Sequence, residues 1–214
     1  MLHTETVSEK TFQLLIKLEK EAPLSHFSLA GGTALSLYLG HRKSIDLDLF
    51  SPFPFNVSEL KSFLEAKYDF RADFWAKNTL KGSIDGVKTD FITHAYELLA
   101  PPCVEQDVRL YDLQDIIAMK ISAITDNGSR VKDFIDIAFL STRFSLISML
   151  KCYERKFPDN NIIIPLKAIT FFDDIDFEED IVMLNGRYDW HAIEKRLLAM
   201  TKHQEQVFDT PPVI

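Results

Sequence analysis

The segment SIDLDLF, residues 44–50, alternates between polar and apolar side chains as far as Leu49. Such alternation predicts a strand, because successive side chains of a strand point to opposite faces. Ile45 and the two leucines would then face a hydrophobic core, whereas Asp46 and Asp48 would project together from the other face. Two like charges this close repel each other, and a bound Mg²⁺ would relieve that repulsion. A solvent-facing strand that carries two acids is the alternative interpretation.

A glycine pair lies upstream of this strand. Gly31 and Gly32 follow a short apolar segment, residues 27–30, and precede a helix-like segment, residues 33–39. Glycines let the backbone approach a ligand, and the start of a helix offers free N–H groups to phosphate oxygens. Thr33 could add a hydroxyl group. The order of a phosphate cradle, a helix and paired carboxylates suits a nucleoside triphosphate with its metal, although a tight strand-to-helix turn without a ligand has the same pattern.

A third carboxylate, Asp90, falls in the strand-like segment 87–94, after the hairpin signal Asp85-Gly86. An acid inside an apolar strand needs a partner, because unpaired burial is costly. Three carboxylates could hold two metal ions, one that activates an attacking hydroxyl and one that steadies a leaving pyrophosphate. Asp90 could instead act as the general base. It could also be an exposed strand residue without a role.

The apolar spacing divides the chain into two regions. Residues 1–111 predict a mixed α/β core, and residues 112–214 predict a mostly helical region packed on that core. Helices are expected at residues 112–126, 129–140, 146–156, 165–172 and 190–200. The acidic stretch 173–180 is interpreted as a solvated loop, because no strand aims its charges at one point.

Composition restricts the setting of the protein. A net charge of −8 argues against a surface that coats nucleic acids broadly, although a local basic groove remains compatible with it. Cys103 and Cys152 have no zinc-ligand spacing and imply no disulfide framework. No apolar run approaches the ~20 residues that span a bilayer, and no signal-peptide pattern opens the chain. We therefore expect a cytoplasmic protein without a membrane partner.

Two segments together, AGGTAL at 30–35 and HRKSIDLDLF at 41–50, resemble the AbiEii/AbiGii toxin family of nucleotidyltransferases, within the DNA polymerase β-like superfamily. Farther along, Lys120 and the segment RVKDFID at 130–136 resemble the later signature of that family. The resemblance implies an α+β fold in which a small mixed sheet with flanking helices carries a metal site. It also implies Mg²⁺-dependent transfer of a nucleotidyl group from a nucleoside triphosphate, possible toxicity and a possible antitoxin partner.

The resemblance also assigns roles to single residues. Gly31 and Gly32 would bind phosphate, with the hydroxyl groups of Thr33 and Ser44 beside the site. Asp46, Asp48 and Asp90 would bind the metal. Lys120 would contact the triphosphate, while Asp133 and Asp136, three apart on one helical face, would form the pocket or assist the base. Ordinary surface charges and salt bridges are the alternative for these later residues.

Several functional alternatives stay open at this point. The acceptor could be an RNA, a protein or a small molecule. An inactive relative of the same fold would bind a nucleotide or a partner protein without chemistry. A helical interaction scaffold would expose an apolar patch within residues 146–214.

Overall fold

In the computed structural model all residues 1–214 are described, and they form two units. The first unit contains residues 1–38 and 44–111, and the second contains residues 39–43 and 112–214. No helix of the chain is both long and apolar enough to cross a bilayer.

A seven-stranded mixed sheet forms the centre of the first unit. Its strands are β1 Ser28–Leu29, β2 Leu47–Ser51, β3 Arg71–Ala76, β4 Thr79–Ile84, β5 Val87–Thr93, β6 Cys103–Glu105 and β7 Val108–Leu110. Their order across the sheet is β3-β4-β5-β2-β1-β7-β6. The pairs β2–β5 and β1–β7 are parallel, and the other pairs are antiparallel. The mixed sheet confirms the α/β prediction for this part of the chain.

The helices of the first unit are α1 Glu9–Glu19, α2 Gly31–Leu39 and α3 Val57–Tyr68. Ser8 begins α1 by accepting a hydrogen bond from a first-turn N–H, and Asn56 does the same for α3. These short polar side chains satisfy backbone donors that have no partner inside the helix. Leucines bury one side of α1, as in other amphipathic helices that cover a core.

The β4–β5 hairpin confirms the turn predicted from Asp85-Gly86. Both residues adopt the left-handed conformation, with φ of 53° and 79°. Two consecutive positive φ angles are the mark of the two-residue turn that matches the twist of paired strands. The hairpin therefore fixes the register that sets Asp90 on β5 opposite Lys81 on β4.

Five helices make up most of the second unit: α4 Leu113–Asp126, α5 Val131–Leu140, α6 Leu146–Lys156, α7 Ile163–Ala168 and α8 Trp190–Lys202. Asp112 caps α4, as its position predicted. Helix α5 is buried almost throughout, and its two aspartates, Asp133 and Asp136, are buried with it. The acidic stretch is mostly exposed, as the solvated-loop interpretation required.

Several predicted boundaries are wrong. The strand predicted at 44–50 begins only at Leu47, and Ile45 is 70% exposed rather than part of the core. The physical reason is that Ser44 hydrogen-bonds through its N–H to Thr6 in an irregular segment, so the alternation before Leu47 belongs to no ladder. Strands β6 and β7 were not predicted, because three residues are too few to show a period. Helix α7 begins earlier and ends earlier than residues 165–172.

Candidate active site

Two of the predicted acids lie side by side on the sheet. Asp48 on β2 and Asp90 on the parallel strand β5 are directly opposite in register. Neighbouring strands are ~4.8 Å apart, and residues in register share a face. The two side chains therefore leave the sheet together, and Asp46, two residues before Asp48, precedes them along the same chain segment.

The Asp90 carboxylate has one oxygen without a partner. Asp90 is 2% exposed, and its Oδ1 is buried and makes no hydrogen bond. Its Oδ2 lies 3.6 Å from Lys81 Nζ. A buried carboxylate oxygen left unpaired costs free energy, so this atom is suited to accept a cation or a proton. Hard oxygen donors of this kind are the ligands that Mg²⁺ prefers.

Gly31 brings the start of α2 against Asp48. A Cβ atom at this position would overlap Asp48 Oδ2 and would lie 3.2 Å from Asp48 Cβ and Cγ. The φ of Gly31 is +66°, in the left-handed region that favours glycine. The N–H groups of the first helical turn lack intrahelical acceptors and carry the positive end of the helix dipole. The glycine thus lets a potential anion-binding helix end approach a carboxylate that is itself a potential metal ligand.

Thr33 and Ser44 tie the irregular segment before β2 to α2. Thr33 Oγ1 lies 2.7 Å from Ser44 Oγ and also donates a hydrogen bond to the carbonyl oxygen of Asp46. Thr33 is buried, so these contacts replace water. Both hydroxyl groups therefore position the backbone of Asp46, while their predicted contact with phosphate stays a prediction.

Asp46 and Asp90 are each ion-paired with a lysine. Asp46 Oδ2 lies 3.8 Å from Lys88 Nζ, as Asp90 lies near Lys81. No three His, Cys, Asp or Glu side chains form a group that could hold a metal ion. The structure therefore brings Asp48 and Asp90 together and places Asp46 in the irregular segment just before β2, and a metal set of all three stays a prediction.

The second unit contains a separate buried cluster around Asp136. Arg42 donates to Asp136 through Nε at 2.8 Å and through Nη2 at 2.9 Å, and His41 Nε2 lies 2.8 Å from the same carboxylate. Lys120 Nζ lies 2.8 Å from Asp136 Oδ2 and 2.6 Å from Asp133 Oδ1. These contacts explain why residues 39–43 belong to the second unit although α2 precedes them.

The charges of this cluster hold one another in the ionised state. Burial alone would raise the pKa of Asp136, but Arg42 and Lys120 lower that pKa well below its ordinary value. Burial alone would lower the pKa of Lys120, and the two aspartates raise that pKa instead. Burial lowers the pKa of His41, which favours the neutral imidazole. The sequence-based roles of Lys120 and Asp133 toward a triphosphate remain predictions.

Comparisons with known proteins agree with this architecture. The profile of the family described as "Nucleotidyl transferase AbiEii toxin, Type IV TA system" matches residues 13–210. The chain belongs to the AbiEii family of nucleotidyltransferases. The family assignment confirms the resemblance seen in the glycine pair and the acidic strand.

Individual relatives extend the comparison. An uncharacterized protein of Aquifex aeolicus (strain VF5) is 34% identical over 166 residues, which cover 73% of this chain and 80% of that protein. A candidate nucleotidyltransferase from Helicobacter pylori has a similar structure, with a TM-score of 0.55, 18% identity and coverage of 92% and 96% of the two chains. The JHP933 structure, also from Helicobacter pylori, has a TM-score of 0.54, 17% identity and coverage of 93% of each chain. These structures share the fold of the AbiEii-family chain and confirm the predicted nucleotidyltransferase fold class.

Replacing Gly31 tests whether the close approach of α2 to Asp48 matters. We expect Gly31→Ala to lower nucleotidyl transfer on the order of 100-fold, because the new methyl group displaces a preorganised carboxylate. Gly86→Ala is the matched control: its φ is also positive, at +79°, but an added Cβ meets nothing within 4 Å. Backbone strain should cost both variants ~1–2 kcal/mol of stability in urea denaturation, and Gly31→Ala should lose more because its Cβ also meets Asp48. Equal activity of the two variants would contradict the role given to Gly31.

Proposed function

We propose that this AbiEii-family protein transfers a nucleotidyl group from a nucleoside triphosphate to an acceptor hydroxyl, with Mg²⁺ as the metal cofactor. The observation that carries the proposal is the in-register pair of Asp48 and Asp90, with a buried unpaired oxygen on Asp90, beside the glycine-led start of α2. One unit of the fold thus carries a pair of acids suited to a metal ion beside a helix start suited to phosphate.

The residues present fit a divalent cation by their chemistry. Asp46, Asp48 and Asp90 would hold it, since all three offer hard carboxylate oxygens. When bound, Mg²⁺ would neutralise the acids and withdraw charge from the polyphosphate. Thr33, which also contacts Ser44, hydrogen-bonds to the carbonyl oxygen of Asp46 and so fixes the backbone from which this acid projects.

The proposed reaction is an in-line displacement at the α-phosphorus. The acceptor oxygen forms the new bond to phosphorus, and the bond between the α-phosphorus and the bridging oxygen breaks. Its electron pair leaves with pyrophosphate. The hydroxyl proton passes to Oδ1 of Asp90, which has no competing hydrogen bond. The N–H groups at the start of α2 stabilise the negative charge on the phosphate oxygens.

The biological setting follows from the family as a further part of the proposal. We place the protein in the cytoplasm, where nucleoside triphosphates are available, as the toxin of a toxin–antitoxin pair with an RNA or protein acceptor. The name of the family supports a partner antitoxin. Both cysteines are free, which agrees with a reducing compartment.

Labelled triphosphates distinguish this reaction from its alternatives. The protein is incubated with cell RNA and protein and with each nucleoside triphosphate, labelled either at the α- or at the γ-phosphorus. Nucleotidyl transfer predicts that an acceptor retains α-label, that γ-label appears in pyrophosphate, and that chelation of divalent cations stops both. Retention of γ-label in the acceptor would contradict the proposal. Nucleotide binding without pyrophosphate release would favour an inactive binding module of the same fold.

A further inference from the structure

Two lysines lie close to acids of the proposed site. Lys81 on β4 is the register partner of Asp90, and its Nζ lies 3.6 Å from Asp90 Oδ2. Lys88, two residues before Asp90 on β5, has its Nζ 3.8 Å from Asp46 Oδ2. The sequence alone predicted no role for either lysine, although Lys88 shares the strand face of Asp90.

Both ammonium groups are exposed, and neither is held by a hydrogen bond to its acid. The side chains of Lys81 and Lys88 are 43% and 58% exposed, and neither lysine donates a hydrogen bond within normal distance to its acid. The pair of Lys88 with Asp46 is exposed on both sides, so it stabilises the fold only weakly. In the pair of Lys81 with Asp90 only the ammonium group is exposed, so a cation that displaces Lys81 must take over the charge balance of the buried carboxylate. By contrast, the buried pair of Lys120 and Asp133 is joined by a hydrogen bond of 2.6 Å, as expected for an ion pair that is part of the folded structure.

A divalent cation would compete with these lysines for the same oxygens. An ammonium group and a metal ion a few ångströms apart repel each other, so the cation must displace Lys81 from Asp90 and Lys88 from Asp46. A nucleoside triphosphate carries enough negative charge to attract the displaced ammonium groups. Lysine suits that exchange, since it is a flexible point charge on a long stem.

We propose that Lys81 and Lys88 are displaceable counter-ions of this site. Each neutralises one acid until the divalent cation binds, and each then turns to the polyphosphate of the nucleotide that accompanies the cation. The second step rests on the proposed function, whereas the competition with a divalent cation requires only that Asp46 and Asp90 bind one.

Removing a lysine should change the two binding steps in opposite directions. Without its ammonium group, Lys81→Met should bind Mn²⁺ alone roughly fivefold more tightly than the wild type, because a competing charge is gone. The same variant should bind a non-hydrolysable triphosphate in the presence of Mn²⁺ roughly fivefold more weakly, because a phosphate contact is gone. A merely structural lysine would produce no such reversal of sign.

The test measures free Mn²⁺ by electron paramagnetic resonance and nucleotide binding by calorimetry, on the full chain. Lys81→Met and Lys88→Met are compared with Lys81→Arg, which keeps the positive charge and should therefore bind Mn²⁺ no more tightly than the wild type. Lys20→Met, at an exposed lysine that follows α1, is the matched control for a surface charge and should leave both affinities unchanged. Circular dichroism checks that each variant is folded.

The Mn²⁺ affinity and the nucleotide affinity together decide between the possible roles of the two lysines. Tighter Mn²⁺ binding with weaker nucleotide binding supports the exchange. In a second outcome the wild type binds Mn²⁺, while Lys81→Met and Lys88→Met bind it equally well or more weakly. That result overturns the counter-ion role and leaves the proposed function standing. Tighter Mn²⁺ binding with unchanged nucleotide affinity overturns the polyphosphate step. If the wild type binds no Mn²⁺ at all, the proposed metal-dependent function and this inference are both overturned.

Discussion

Asp48→Asn is expected to lower the rate of nucleotidyl transfer by about 10³-fold while the protein stays folded. Asp48 lies against Gly31 at the start of α2. It is also directly opposite Asp90 in the pairing of β2 with β5. An amide keeps the size of the carboxylate but removes the charge that a metal ion needs. A single preorganised electrostatic contact at a reacting centre contributes on the order of 10²–10³-fold to rate, and a metal ligand contributes at least as much.

The control for this variant is the same substitution elsewhere on the sheet. Asp73→Asn changes an exposed acid on β3 and should keep activity within about twofold of the wild type. Transfer of α-labelled nucleotide is measured for both variants, and urea denaturation checks that their stabilities agree. Asp48→Asn with more than a tenth of wild-type activity would show that this carboxylate is not a ligand in the reaction.

Asp136→Asn is expected to destabilise the second unit by about 3–5 kcal/mol, because it removes the carboxylate that pairs with buried Arg42 and one of the two carboxylates that pair with buried Lys120. Arg42 makes two hydrogen bonds to Asp136, and Lys120 lies 2.8 Å from its other side. The asparagine amide can accept one of these bonds but cannot balance either charge. The cost is therefore electrostatic rather than a loss of packing.

The second unit reports its own unfolding through Trp190, which packs on Phe134 of α5. A Trp75→Phe background removes the tryptophan of the first unit, so that fluorescence in urea follows the second unit alone. Asp126→Asn, at an exposed acid that ends α4, should cost less than about 0.5 kcal/mol. A similar small loss for Asp136→Asn would contradict the buried ion-pair account.

The same variant has a defined pH dependence. Because the folded-state pKa of Asp136 is lowered, its carboxylate stabilises the fold at pH values above the ordinary aspartate pKa, 3.8. That contribution is lost as pH falls through the lowered folded-state pKa. The difference in unfolding free energy between the wild type and Asp136→Asn should therefore be full near pH 7 and should shrink below about pH 4.

Local patterns predicted the parts of the site that depend on neighbouring residues in the chain. The alternation around Leu47 and Leu49 placed Asp48 on the polar face of a strand, and the Asp85-Gly86 turn signal placed Asp90 on the next one. These signals work because the period of a strand and the chemistry of a tight turn are short-range properties. The alternation misled at residues 44–46, where Ser44 hydrogen-bonds to Thr6 and no ladder forms.

Long-range partners could not be predicted from these patterns. Arg42 pairs with Asp136 across 94 residues of sequence, and Lys81 faces Asp90 only because the hairpin register brings them together. A charged residue in a single sequence gives no indication of whether its partner is water or a buried counter-ion. Gly31 was identified as a flexible position, but its tight approach to Asp48 follows from the packing of α2 beside β2.

Anomalous diffraction from a crystal soaked with Mn²⁺ and a non-hydrolysable nucleoside triphosphate tests the central claim most directly. The account predicts a manganese peak within about 2.0–2.4 Å of carboxylate oxygens from both Asp48 and Asp90, with the triphosphate at the start of α2. Manganese bound elsewhere in the chain, with Asp90 still paired to Lys81, would contradict it.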